Sequence, residues 1–300
     1  MSEARTSAAW KARQVLVSSR PLSWINTAFP FAASYLVTVG RVDALLVVGT
    51  LFFLVPYNLL MYGINDVFDY ESDLRNPRKG GAEGALLDPG LHHTVLAAGV
   101  VVAVPLLVAM LVLAGAGHPG SWVVLVLSLF AVVAYSVPGL RFKERPVLDS
   151  VTSSTHFVSP AVYGLVVAGA DAAVGLGALL AAFFLWGMAS HAFGAVQDVT
   201  PDRQAGIASI ATAFGAAQTV RLAIAGWAVA GLLMLATDWP GPLAALLALP
   251  YILAGWPYRS IGDDHADEAN AGWKRFLWLN FLTGFLVTML LIAWLAIRET

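Results

Sequence analysis

The densest chemistry in the sequence is the run GINDVFDYESDLRNPRKGG (63–81). There Asn65, Asp66, Asp69, Glu71 and Asp73 are followed by Arg75, Arg78 and Lys79. At 100° per residue, Asp69 falls about 60° and Asp73 about 20° from Asp66 around a helix, while Glu71 points about 140° away. Asp66, Asp69 and Asp73 therefore share a face with Asn65 beside them, and Glu71 reads as solvated. Three carboxylates on one face repel one another, so a cation is expected among them. Oxygen donors without His or Cys select a hard divalent ion such as Mg²⁺.

A second acidic stretch, HAFGAVQDVTPDRQAG (191–206), holds Asp198 and Asp202 four residues apart. Pro201 is expected to break the helix there. Both stretches pair an amide with an aspartate, Asn65–Asp66 and Gln197–Asp198. Two such carboxylate groups resemble the way enzymes hold a diphosphate through bridging Mg²⁺ ions, each ion taking one or two carboxylates plus phosphate oxygens. The expected metal ligands are Asn65, Asp66, Asp69, Asp73, Asp198 and Asp202, with Asp66, Asp69 and Asp198 catalytic. Arg78 and Lys79 in NPRKGG, the segment YSVPGLRFKER (135–145) with Tyr135, Arg141 and Lys143, and Arg203 are expected to contact the diphosphate.

The elements that must position these residues are apolar. The 300 residues are 58% hydrophobic and 12% charged, with a mean hydropathy of +0.73, outside the range of soluble domains. There is no cysteine, which excludes disulfides, thiolate nucleophiles and cysteine metal sites. Nine apolar blocks, at 22–40, 44–64, 93–115, 121–138, 147–169, 172–195, 216–237, 241–258 and 276–297, have lengths suited to crossing a bilayer. The first twenty residues are polar and basic, and no small-residue cleavage site follows, so the first block reads as a retained span. The expected class is an all-α polytopic membrane protein: a cytoplasmic segment, 1–20, then a single transmembrane domain, 21–300.

Threading nine spans with the N-terminus in the cytoplasm puts every Lys and Arg but Arg41 and Arg298 on that side, as the positive-inside rule requires. Both acidic stretches and the 135–145 loop then lie on the cytoplasmic face. The fifth block carries Asp149, Thr152, Ser153, Ser154, Thr155 and His156 in its first half, which is expected to face a polar interior. Other polar residues have plainer readings. Arg13, Arg20, Arg145, Arg259 and Arg275 follow from topology, and Asp88, Asp149 and Asp171 are solvated caps. Asp263, Asp264, Asp267 and Glu268 form a solvated loop, while His156 and His191 are polar packing.

Asn65-Asp66-x-x-Asp69-x-x-x-Asp73 and Asp198-x-x-x-Asp202 resemble the two aspartate-rich motifs of the UbiA superfamily of intramembrane prenyltransferases. YSVPGLRFK resembles that family's basic loop, and AGIASIATAFG (205–215) the stretch after its second motif. Within the family, SRPLSWINTAFPF (19–31) and NDVFDYESDLRNPRKGGAEGALL (65–87) are most similar to bacterial carotenoid elongases of the lycopene elongase type. The resemblance covers residues 20 to about 220. It differs from the common pattern in carrying Thr200–Pro201 inside the second motif.

The resemblance implies a nine-helix bundle in the cell membrane with its active site toward the cytoplasm. It also implies Mg²⁺-dependent transfer of a prenyl group from an isoprenyl diphosphate, dimethylallyl diphosphate in the elongase reading. The acceptor would be a lipophilic molecule within the bilayer, lycopene or a related linear carotene on the way to C50 carotenoids. Partner enzymes would come from the same pathway, and no nucleic-acid partner is expected. Phe52, Phe53, Tyr57, Tyr62, Phe183, Phe184, Trp186 and Phe193 are the aromatics expected along the acceptor. Two alternatives stand beside this reading. One is an aromatic-acceptor prenyltransferase of the quinone or tocopherol type. The other is a membrane cation transporter, although its ions would be bound near the midplane and not at span ends on one side.

Overall fold

The computed structural model describes residues 7–74 and 86–298, which are helical in nearly all their regular structure. Their contacts divide the chain into two compact units, Met1–Arg141 with His156–Ala170 and Phe142–Thr155 with Asp171–Thr300.

The first unit begins with α1 (Ala8–Ser18) and α2 (Ile25–Val39), then α3 (Ala44–Leu54) and α4 (Pro56–Phe68). Together α3 and α4 form one 25-residue apolar segment, interrupted at Val55. The cause is Pro56, which donates no hydrogen bond and clashes with the preceding turn. The carbonyls released by the break are not left bare. Asn58 Nδ2 donates to Phe53 O at 2.9 Å and Leu54 O at 3.0 Å, and Thr27 Oγ1 donates to Phe53 O at 2.7 Å. In a bilayer, side chains must do what water cannot, and a broken helix persists only where they do.

After α4 come the short α5 (Tyr70–Asp73), α6 (His92–Ala114) and α7 (Pro119–Ser136). Helix α4 packs on α6 and α7, and α3 on α2 and α6. Their core is aromatic: Phe31, Phe52, Phe53, Tyr57 and Tyr163 are fully buried. Gly49 lies so close to the Phe31 ring that any side chain would collide with it. Close approach at small residues is how helices associate where lipid removes the hydrophobic driving force between them.

Helix α8 (Leu148–Val167) crosses from one unit to the other. As expected, its polar residues are hidden: Asp149, Ser150, Thr152, Ser154 and His156 are all buried. The second unit continues with α9 (Val174–Val196), α10 (Val199–Ala205), α11 (Ile210–Phe214), α12 (Ala216–Met234), α13 (Ala248–Gly255) and α14 (Asn270–Arg298). Helices α9 and α12 form its most extensive packing. A Cβ at Gly226 of α12 would lie 2.9 Å from Ala189 Cβ of α9. Around this pair Phe193, Trp227, Tyr251, Phe276 and Trp273 build a second aromatic core.

Each of the nine apolar blocks coincides with helical structure. Among the described residues, seven helical segments are long and apolar enough to cross a membrane. Block 22–40 is the shorter apolar α2, of 15 residues. Block 147–169 is α8, whose buried polar half lowers its apolarity. Block 241–258 is α13 flanked by 3-10 turns at Gly241–Leu247 and Trp256–Tyr258.

Candidate active site

In the first unit the acidic motif closes α4. Asn65 and Asp66 belong to its last turn, Asp69 ends it, and Asp73 lies in α5. The helix is interrupted at Asp69, yet Asp69 N still bonds Asn65 O at 2.9 Å and Asp73 N bonds Asp69 O at 2.8 Å. The helical turn thus carries through, and the shared face survives. Asp66, Asp69 and Asp73 are 1%, 4% and 7% exposed, whereas Glu71 is exposed.

Asp66 and Asp69 meet donors. Arg20 Nη2 lies 2.5 Å from Asp66 Oδ1, and Ser18 Oγ donates to Asp66 Oδ2 at 3.0 Å. Asn65 Nδ2 donates to Asp69 Oδ2 at 2.5 Å and to Ser136 Oγ, at the end of α7, at 2.9 Å. Arg141 Nη2 stands 3.7 Å from Asp69. The cation expected among the carboxylates is thus met in part by two guanidinium groups. Arg20 corrects the plain topological reading given to it. It is fixed by Asp66, and its guanidinium lies over the Tyr62 ring at 4.8 Å. No local signal marked it, because Asp66 lies 46 residues away in the sequence. Tyr135, one residue before Ser136, packs edge-on against His156 at 5.3 Å. Arg78 and Lys79 lie outside the described residues.

The donor chemistry suits a divalent cation. Asn65, Asp66 and Asp69 offer only oxygen ligands, and the two aspartates are buried where their charge is costly without a partner. Among the described residues no three His, Asp or Glu side chains gather closely enough to hold a metal by themselves. Mg²⁺ commonly completes its shell with water and substrate phosphate instead of an all-protein cage.

In the second unit α9 ends at Gln197, and α10 begins after Asp198. The helix breaks before Pro201 and not at it, correcting the expectation. Pro201 falls in the first turn of α10, where a missing N–H costs nothing. Asp202 N bonds Asp198 O at 2.9 Å, so the two half-buried aspartates stay one turn apart. Gln197 Oε1 accepts from Asn270 Nδ2 at 2.5 Å, which commits that amide to α14. Arg203 is exposed and pairs with Asp263 at 2.7 Å, also donating to Thr212 O at 3.2 Å. Lys143 is half-buried in a 3-10 turn, Phe142–Glu144.

Two aspartates read as solvated are structural. Asp149 is fully buried and accepts from Ser150 N and Ile210 N, both at 2.7 Å. Asp263 accepts from Ala216 N at 2.6 Å, capping α12, besides pairing with Arg203. Their partners lie 61 and 47 residues away, beyond the reach of local spacing.

The UbiA prenyltransferase family matches residues 27–280. The chain is 54% identical over 276 residues to the C(50) beta-cyclic carotenoids biosynthesis protein LbtBC of Dietzia sp. (strain CQ4), covering 92% of this chain. It spans 63% of that relative's length. It is 48% identical over 283 residues to the lycopene elongase/hydratase of Corynebacterium glutamicum, covering 94% of this chain and 98% of the relative. A solved UbiA homolog from Archaeoglobus fulgidus bound to DMAPP and Mg²⁺ superposes with a TM-score of 0.64 at 18% identity, covering 90% and 98% of the two chains. The apo UbiA homolog from Aeropyrum pernix K1 gives 0.58 at 18% identity, covering 93% and 98%. The transporter alternative therefore falls. The chain belongs to the UbiA prenyltransferase family, as an all-helical, multi-pass membrane enzyme that transfers prenyl groups.

Proposed function

We infer that the enzyme moves a five-carbon unit from dimethylallyl diphosphate to a linear carotene, lycopene or a close relative, toward C50 carotenoids. The observation that carries this reading is the 48% identity, over nearly the full length of both chains, to a lycopene elongase/hydratase. Nine membrane crossings with the N-terminus in the cytoplasm, and an active site on the cytoplasmic face of the cell membrane, are part of the same reading. The distribution of Lys and Arg supports them.

Asn65, Asp66, Asp69 and Asp73 on the first motif, and Asp198 and Asp202 on the second, are the ligands we assign to Mg²⁺. Held there by these residues, the ion would neutralise charge developing on the departing diphosphate. Tyr135, Arg141, Lys143, Arg78 and Lys79 are assigned to the diphosphate itself. Arg203 reaches it only by leaving Asp263, so its resting part is to hold α10, which carries Asp202. The apolar, aromatic interior of the bundle keeps water from the allylic cation. A carotene has no ionisable group, so its site needs length and aromatic surface and no charged anchor.

The test is a pigment profile. The protein is expressed in lycopene-producing cells and, in parallel, purified and supplied with dimethylallyl diphosphate plus 4-hydroxybenzoate or homogentisate. Carotenoids longer by one or two five-carbon units are expected, and their formation should stop in EDTA. Prenylation of an aromatic acid with lycopene untouched would transfer the assignment to the quinone or tocopherol type.

A further inference from the structure

Inside the second unit, α8 and α9 meet through two contacts one helical turn apart. Gly187 of α9 leaves no room for a Cβ beside Ser154, whose Oγ donates to Phe184 O at 2.6 Å. Four residues on along α9 and four back along α8, Ser150 Oγ lies 3.1 Å from His191 Nδ1. The close approach at Gly187 fixes the register, and the register delivers Ser150 to the imidazole.

Behind Ser150 stands Asp149. Its two oxygens hold the backbone N–H groups of Ser150 and Ile210, which fixes its carboxylate one residue from the side chain that meets His191. Asp149 and Ser150 are fully buried, and His191 is half-buried. An anchored histidine backed by a carboxylate is more than packing requires.

Its position along α9 gives it a task. His191 precedes Asp198 by seven residues, which on a helix places it about 20° around and about 10 Å deeper. That separation suits a five-carbon donor, held by its diphosphate at the acidic end, with the reacting carbons of an acceptor beyond it.

We propose that His191 is the proton acceptor that ends the reaction, with Ser150 and Asp149 as its positioning residues. This rests on the carotene elongase reading above. The donor C–O bond breaks, and its electron pair leaves on the diphosphate. The π pair of the acceptor's terminal alkene forms the new C–C bond, leaving a tertiary cation on the acceptor. A C–H bond beside that cation gives its electrons to a new C=C bond, and the proton passes to His191 Nε2. For this Nδ1–H donates to Ser150 Oγ, and Asp149 stabilises the imidazolium that forms.

The experiment compares wild type, His191→Gln and Ser150→Ala, purified in detergent with lycopene, dimethylallyl diphosphate and Mg²⁺. Elongated carotene with the new C=C bond, its hydrated counterpart and released diphosphate are all quantified. In His191→Gln the elongated carotene formed by proton loss is expected to fall by about 100-fold, the usual worth of a positioned base. Diphosphate release should fall far less, because ionisation and C–C bond formation precede the proton loss, and water then captures the elongated cation as a hydrated carotene. Ser150→Ala should shift the same ratio in the same direction by a smaller factor.

A ratio of diphosphate to the elongated carotene formed by proton loss equal to wild type in both variants would overturn the assignment, whatever the absolute rate. Should His191→Gln not purify as a folded protein, the ratio in Ser150→Ala decides alone. No elongated carotene from wild type itself would sink the elongase reading, and the base with it. Elongation by wild type with unaltered partition in the variants would sink the base only.

Discussion

Arg20 and Asp66, 46 residues apart in sequence, form a charge-assisted hydrogen bond of 2.5 Å at the foot of the first acidic motif. Arg20 holds this contact from a left-handed backbone conformation, φ 53°, which a side chain larger than glycine adopts only against a penalty. Ser18 takes the other Asp66 oxygen, so residues 18–20 clasp the carboxylate from both sides. Breaking a buried pair leaves an uncompensated charge, at a cost of about 3 kcal/mol. Arg20→Ala is therefore expected to lower the unfolding midpoint in detergent markedly. Adding Asp66→Asn to Arg20→Ala should cost less than the sum of the two changes. Additive losses would show that the pair carries no coupling.

Asp66 and Asp69 differ from Glu71 by burial. If the buried face is the ligand face, Asp66→Ala or Asp69→Ala should reduce prenyl transfer by at least about 100-fold, or a few kcal/mol of barrier. Glu71→Ala should leave the rate close to wild type, since that side chain is exposed. Initial rates under saturating donor provide the comparison. A loss in Glu71→Ala equal to that in Asp66→Ala would remove the basis for the face.

The membrane class and the helical blocks were legible in the sequence because hydropathy is local: twenty apolar residues in a row announce themselves. The face of Asp66, Asp69 and Asp73 was legible for the same reason, since helical spacing survives the interruption at Asp69. Arg20, Asp149 and Asp263 were misread because their partners, Asp66, Ile210 and Ala216, are distant in sequence. A charged residue near a span end looks the same whether it is solvated or clasped. The helix break before Pro201 was misplaced because proline is tolerated in a first turn, so it marked the start of α10 and not its disruption.

The break at Val55 makes a stability prediction. Asn58 is fully buried, and its Nδ2 also donates to Thr27 Oγ1 at 2.7 Å, tying α4 to α2 as well as to the open carbonyls. Asn58→Leu keeps the branched shape but strands the carbonyl of Leu54 and leaves Phe53 O with Thr27 Oγ1 alone. The loss is expected to be about 1–3 kcal/mol, the penalty for unsatisfied buried acceptors. Thr27→Val should cost less, because Asn58 still reaches Phe53 O. Unfolding of the two variants in the same detergent gives the order, and a reversed order would contradict the account.

Asp43 links stability to pH outside the spans. Burial alone would raise its pKa. The N–H of Leu46, the hydroxyl of Tyr35, the N–H of Leu45 and the charge of Arg41 outweigh it and hold the carboxyl below its ordinary value. Its side chain caps α3 through Leu46 N at 3.0 Å and binds Tyr35 OH at 2.9 Å. A carboxylate whose folded pKa is depressed adds stability that is complete above the unfolded pKa and lost as pH falls through the folded one. The midpoint of wild type should therefore drop on acidification through the ordinary aspartate range and below. In Asp43→Asn the neutral amide keeps a capping oxygen and loses the charge. The variant should be less stable than wild type at neutral pH and converge on it in acid. Parallel stability curves for the two proteins across that range would show that the Asp43 charge contributes nothing.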